Sequence, residues 1–196
     1  MKMINNLKIM IIGHGFVGKA VDYGFSHPKV EKTIVDPKYG NSIYEFNILD
    51  YDMVFICVPT PMSSDGSVDA STLDEILSEI GFPLCPVVIK STITPDIVYK
   101  YDNPTLVYNP EFLTEKSAQE QFVNPPFHIF GGSKNKTEQV EEYYEKYSLC
   151  NHVKGYHMTV QEASYVKYAI NTFLATKVTF FNQLFDSVSK TDANFA

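Results

Sequence analysis

Three groups of residues have the types and spacing for chemistry. The run Gly13-His14-Gly15-Phe16-Val17-Gly18 follows the apolar stretch Leu7 to Ile12, opens a helical pattern, and is followed eighteen residues later by Asp36. In that setting Gly13 permits a tight turn, Gly15 lets the backbone approach a pyrophosphate, and Gly18 lets helix and strand pack closely. The backbone N–H groups around Phe16 and Val17 belong to a helix N-terminus, with its partial positive charge. Asp36 can accept hydrogen bonds from both ribose hydroxyls and repels a 2′-phosphate, which favours NAD over NADP. Lys38 is a neighbouring cation able to tolerate that phosphate. In the second group, Lys167 and Asn171 are four apart on one helix face, a cation and an amide that can together stabilise an oxyanion. In the third, Glu111 and Glu115 are also four apart. If their loop is helical they converge, and like charges raise one pKa toward that of a base.

These residues need elements to hold them. Short apolar runs bounded by turns read as strands at Leu7 to Ile12, Thr33 to Val35, Met53 to Val58, Val87 to Lys90, Thr105 to Tyr108 and His128 to Phe130. Helical patterns fall at Val17 to Phe25, Ser71 to Ile80 and Lys136 to Tyr147. Uninterrupted apolar strands alternating with helices predict βαβ units and an α/β, Rossmann-type, doubly wound, mostly parallel sheet. Thr159-Val-Gln-Glu162 is a capping box, and no Gly or Pro interrupts Val160 to Ser189. Such a helix, about 45 Å long at 1.5 Å per residue, exceeds what a small sheet needs for cover.

Composition narrows the classes. The chain has 196 residues, 16 Lys and Arg against 23 Asp and Glu, and a net charge of −7, which argues against nonspecific nucleic-acid binding and against a polybasic membrane anchor. The opening MKMINNLKIMIIGHG has too short an apolar stretch for a secretory leader, and no run is long enough to span a bilayer. Cys57, Cys85 and Cys150 form no CxxC pair, so neither a disulfide scaffold nor a metal ribbon is expected. The combined reading is a cytoplasmic protein with no metal site.

Several motifs then agree in order: Gly13 to Gly18, Val58-Pro59-Thr60-Pro61, Lys90-Ser91-Thr92, Asn109-Pro110-Glu111-Phe112-Leu113-Thr114-Glu115, and Glu162-Ala163 with Lys167 and Asn171. The series closely resembles the UDP-glucose/GDP-mannose dehydrogenase family over essentially the whole chain. The resemblance implies an NAD-dependent oxidoreductase that takes a sugar-nucleotide primary alcohol to a carboxylate, of the UDP-glucose to UDP-glucuronate type. That is a four-electron oxidation through an aldehyde and a cysteine-bound thioester. It implies cofactor contacts from Val58, Pro59, Thr60, Ser91, Thr92 and Glu115, beside Gly13, Gly15, Phe16, Val17, Gly18, Asp36 and Lys38. It implies catalytic roles for Thr92 in placing the hydrolytic water, for Glu111 and especially Glu115 in proton transfer, and for Lys167 and Asn171 at developing oxyanions.

The departures also carry information. Thr114 stands where the family usually has Arg, and Lys116 where it has a small residue. None of the three cysteines has the glycine-rich context of the family nucleophile. The expectation is therefore an NAD-binding domain over residues 1–157 and a connecting helix over residues 158–196, without the domain that grips the nucleotide sugar. Such a chain is the N-terminal part of a nucleotide-sugar 6-dehydrogenase, or alternatively a self-standing NAD-binding module, regulatory or inactive. The apolar stripe of Phe173, Phe180, Phe181, Leu184 and Phe185 is expected to form a homodimer. His14 is read as a side chain tolerated near the phosphates, and Tyr165 and Tyr168 as packing.

Overall fold

The computed structural model describes residues 6–81, 83–101 and 103–195. The first residues of the leader-like opening, and Ala196 at the end of the expected helical segment, lie outside them. Among the described residues seven strands form one sheet: β1 (Leu7–Ile12), β2 (Val30–Val35), β3 (Met53–Ile56), β4 (Val87–Ile89), β5 (Leu106–Tyr108), β6 (His128–Gly132) and β7 (Gly155–Met158). Their order is β2-β1-β3-β4-β5-β6-β7. All neighbours are parallel except β5 and β6.

The α-helices among the described residues are α1 (Phe16–Gly24), α2 (Ser71–Ile80), α3 (Ala118–Val123), α4 (Lys134–Tyr147) and α5 (Val160–Val188). The pleat divides the core. Leu7, Ile9, Ile11 and Phe55 pack with Ala20, Val21, Phe122 and Tyr144 from α1, α3 and α4. Met10, Ile12, Val54 and Ile56 pack with Leu73, Ile76 and Ile80 from α2 and with Val160 and Ala163 from α5. Every residue of β3, β4 and β5 is buried, which is why their sequences show no alternation.

The chain leaves β1 for β2 on one side and returns through β3 on the other. The carboxyl ends of β1 and β3 therefore flank a topological switch point, the place where open α/β sheets bind ligands. The first turns of α5 are fixed to this same edge. Thr159 and Glu162 form the predicted capping box, Ser164 Oγ donates to the Ile93 carbonyl at 2.7 Å, and Ala163 is fully buried. From Asn171 to Ser187 the helix is exposed.

Candidate functional site

The glycine turn has the geometry that the spacing predicts. Gly13 sits at φ +86°, and a Cβ there would meet the Cys57 carbonyl at 2.8 Å, so the β1 and β3 loops touch at the switch point. A Cβ on Gly18 would lie 2.0 Å from the Gly13 carbonyl, which leaves room only for hydrogen between helix and turn. A Cβ on Gly15 would meet nothing within 4 Å. The bareness of Gly15 thus answers no need of the chain itself and leaves space for something outside it. No side chain caps α1 and no acid sits in its first turn, so its leading N–H groups are free of an internal anion. They open on a cleft of about 670 Å³ lined by His14, Gly15, Phe16, Lys19, Lys38 and the segment 115–120. An uncapped helix start, a bare glycine and a cleft of this size fit a dinucleotide.

Asp36 ends β2 as expected. Its Oδ2 accepts the His14 N–H at 2.6 Å and its Oδ1 the Lys38 N–H at 3.0 Å. Burial raises its pKa, but these two bonds and the Lys38 charge outweigh that and hold it below the ordinary carboxylate value. His14 is not a merely tolerated side chain. It is buried, with Nδ1 2.7 Å from the Tyr39 hydroxyl and Nε2 3.2 Å from Asp22 Oδ2. It ties the turn to both α1 and the segment after β2.

The strands next to the switch point bring the other candidates to the same edge. Val58 is buried, and its carbonyl accepts the Ser91 hydroxyl at 2.6 Å. Thr60 Oγ1 donates to the Thr92 carbonyl at 2.7 Å. These two bonds join the loops after β3 and β4, while Pro59 is exposed and Thr92 half-buried. Lys167 is buried on α5, and its Nζ donates to the Glu111 carbonyl, lies 3.5 Å from Glu111 Oε1, and sits 4.8 Å from the centre of the Phe112 ring. Burial lowers its pKa, against the opposing pull of Glu111. An ammonium has three donors, so one remains beyond the two contacts with Glu111. Asn171 lies one turn further along the same face and is exposed.

Glu111 and Glu115 do not converge. The chain from Pro110 to Thr114 is not helical, and Thr114 is extended at φ −99°, ψ 142°. The side chain of Glu111 folds back to accept the Leu113 N–H at 2.5 Å and faces Lys167. Glu115 starts a short 3-10 turn and lines the glycine-turn cleft with Lys38 and Lys116. The spacing of four has no shared face outside a helix, so the two carboxylates serve different places.

Spacing also missed a buried polar group behind this edge. Lys90 Nζ donates to Asn109 Oδ1 at 2.9 Å, Tyr144 donates to the same oxygen at 2.9 Å, and Asn109 Nδ2 donates to the Ile129 carbonyl at 2.7 Å. Burial pulls Lys90 down to about 8 despite nearby Glu111, and burial followed by Lys90 pulls His128 down to about 4. The signal was a lysine directly following three apolar strand residues, which a surface strand would not need. The thiols are not poised to attack: burial pushes Cys57 up to about 12 and Cys85 up to about 11, and raises Cys150 as well. Among the described residues no group of three or more His, Cys, Asp or Glu is placed to hold a metal, and no helix is long and apolar enough to cross a membrane.

A sheet with a glycine turn at its switch point and an acid ending the second strand defines a Rossmann-type NAD-binding domain. The family model described as UDP-glucose/GDP-mannose dehydrogenase family, NAD binding domain, matches residues 38–148, more than half of the chain. The chain belongs to that family. The match begins after the glycine turn, so the turn stands on its own geometry. A UDP-glucose 6-dehydrogenase from Pseudomonas aeruginosa is 33% identical over 155 residues, which cover 70% of this chain and 34% of that protein. The solved UDP-glucose dehydrogenase from Pyrobaculum islandicum superimposes with a TM-score of 0.76 at 24% identity, over 94% of this chain and 53% of that one. A ternary complex of GDP-mannose dehydrogenase from Pseudomonas aeruginosa gives 0.75 at 23% identity, over 96% and 58%. These two likenesses concern the fold. The chain spans about a third of the length of the curated relative it matches.

Proposed function

We propose that residues 1–157 are the cofactor domain, and residues 158–196 the connecting segment, of a nucleotide-sugar 6-dehydrogenase of the UDP-glucose to UDP-glucuronate type; the helix of that segment is α5, Val160–Val188, shorter than the expected 158–196. The observation that carries this reading is the buried Lys167–Glu111 pair on the sheet edge that also holds the glycine turn. NAD, when bound, supplies the hydride acceptor. In this reading the N–H groups at the start of α1 hold the pyrophosphate and Asp36 holds the adenosine ribose. The loops carrying Val58, Thr60, Ser91 and Thr92 line the reacting end. The third donor of Lys167, with Asn171, steadies negative charge on the sugar oxygen, and Thr92 orients water. Glu111 sets the direction of Lys167, while Glu115 meets the cofactor.

The raised thiols favour one refinement. With no poised nucleophile among the described residues, the chain alone binds NAD and does not complete a thioester route. A self-standing NAD-binding module shares this behaviour. The exposed Phe173, Phe180 and Phe185 support dimerisation through α5. The test is calorimetric titration with NADH, followed by NADH production from UDP-glucose and NAD. Binding without sustained turnover is expected. Turnover to UDP-glucuronate by this chain would refute the refinement, and failure to bind NADH would refute the reading itself.

A further inference from the structure

The adenosine end of the cleft has an unusual charge arrangement. Asp36 is the residue that should exclude a 2′-phosphate, yet its side chain is only 16% exposed. Lys38, at 42% exposure, lines the cleft. The ammonium is fixed there by three contacts. It lies 3.5 Å from Asp36 Oδ2, donates to the His14 carbonyl, and sits 4.9 Å from the centre of the Tyr39 ring. Tyr39 is itself held by His14, and His14 by Asp22. The group presented to an incoming adenosine ribose is therefore a preorganised cation with its counter-charge behind it. Lys19 and Lys116 line the same cleft, with Glu115 and Glu120 on the wall made by 115–120.

We propose that Lys38 is a specificity-determining residue that lets this cleft accept a 2′-phosphorylated dinucleotide, NADP, as well as NAD. The inference rests on the cofactor reading above. A lone carboxylate discriminates by repelling the phosphate dianion, whereas a nearby cation accommodates it. Here the repulsion is neutralised at 3.5 Å, and the cation has one donor left for a phosphate oxygen. Asp36 Oδ2 is taken by the His14 N–H and the Lys38 ammonium, whereas Oδ1 accepts only the Lys38 N–H and still serves a ribose hydroxyl of NAD.

The test is calorimetric titration of the 196-residue chain with NADH and with NADPH at low and high salt. The expected result is NADPH binding within about thirtyfold of NADH, with the NADPH affinity falling more steeply with salt. Lys38→Ala should weaken NADPH by about tenfold and NADH by less than about threefold, and Lys38→Arg should keep the parent ratio. Lys38 is exposed, so both variants should fold. NADH binding with NADPH weaker by more than about thirtyfold, or an unchanged ratio in Lys38→Ala, overturns this inference and leaves the cofactor reading intact. Failure to bind either dinucleotide overturns both.

Discussion

Gly15→Ala and Gly18→Ala should separate ligand binding from stability, because the two added methyl groups meet different things. At Gly15 the backbone has φ −70°, which alanine adopts freely, and the new Cβ has no neighbour within 4 Å. Losing glycine at the helix N-cap costs about 0.5–1 kcal/mol, and restricting the unfolded chain returns about 0.4–1 kcal/mol. The net change in folding stability is close to zero. At Gly18 the Cβ falls 2.0 Å from the Gly13 carbonyl oxygen, a backbone atom in the turn. Overpacking of this kind costs about 3 kcal/mol, because the turn and α1 must separate. Urea unfolding should therefore find Gly15→Ala within about 0.5 kcal/mol of the parent and Gly18→Ala lower by about 3 kcal/mol. Calorimetry should find Gly15→Ala weaker for NADH by about a hundredfold, since its methyl occupies the approach to the pyrophosphate. Parent-like NADH affinity in a folded Gly15→Ala would refute the assignment of that open space to the cofactor. Parent-like stability in Gly18→Ala would refute the contact with Gly13.

Three further outcomes can be checked. Lys90 keeps its proton to about 10.5 when unfolded but only to about 8 when folded, so the unfolded chain binds more protons between those values. Stability should then rise with pH from about 8, by roughly 2 kcal/mol by pH 10, and urea titrations of Lys90→Met should lack that rise. Above pH 10 the buried hydroxyls of Tyr101 and Tyr108, raised chiefly by burial, act in the opposite direction. Lys167→Met strands the Glu111 carboxylate with the Leu113 N–H, and should cost about 3 kcal/mol in unfolding measurements; adding Glu111→Gln should recover part of that loss. Cys57 should resist thiol reagents at neutral pH until the chain unfolds, since it is 8% exposed and its thiol is pushed up to about 12; rapid labelling of the native chain would contradict its placement.

The sequence showed those parts of the fold whose physics is local. β3, β4 and β5, and β1 from Ile9 onward, are buried on both faces, so their apolar runs are unbroken, and α2 has a clean amphipathic stripe matched to the residue. β7 was missed because Gly155-Tyr-His-Met158 is an edge strand with a half-exposed, polar pattern. α3 was missed because six residues make too few turns to show a period. The glycine turn, Asp36 and Lys167 were readable because a turn, a strand end and a helix face each impose spacing. The Glu111–Glu115 pairing failed because Pro110 to Thr114 runs outside any helix. The links of His14 to Tyr39 and Asp22, and of Lys90 to Asn109 and Tyr144, join residues that only the tertiary fold brings together.

The central claim is that one dinucleotide lies along this edge, from the glycine turn to the Lys167–Glu111 pair. A crystal structure of the chain with NAD tests it most directly. Pyrophosphate oxygens are expected on the N–H groups at the start of α1, the adenosine ribose at Asp36, and the nicotinamide beside the Val58, Thr60 and Thr92 loops on the side of Lys167. A nicotinamide pointing away from Lys167, or a dinucleotide bound anywhere but the glycine turn, would contradict it.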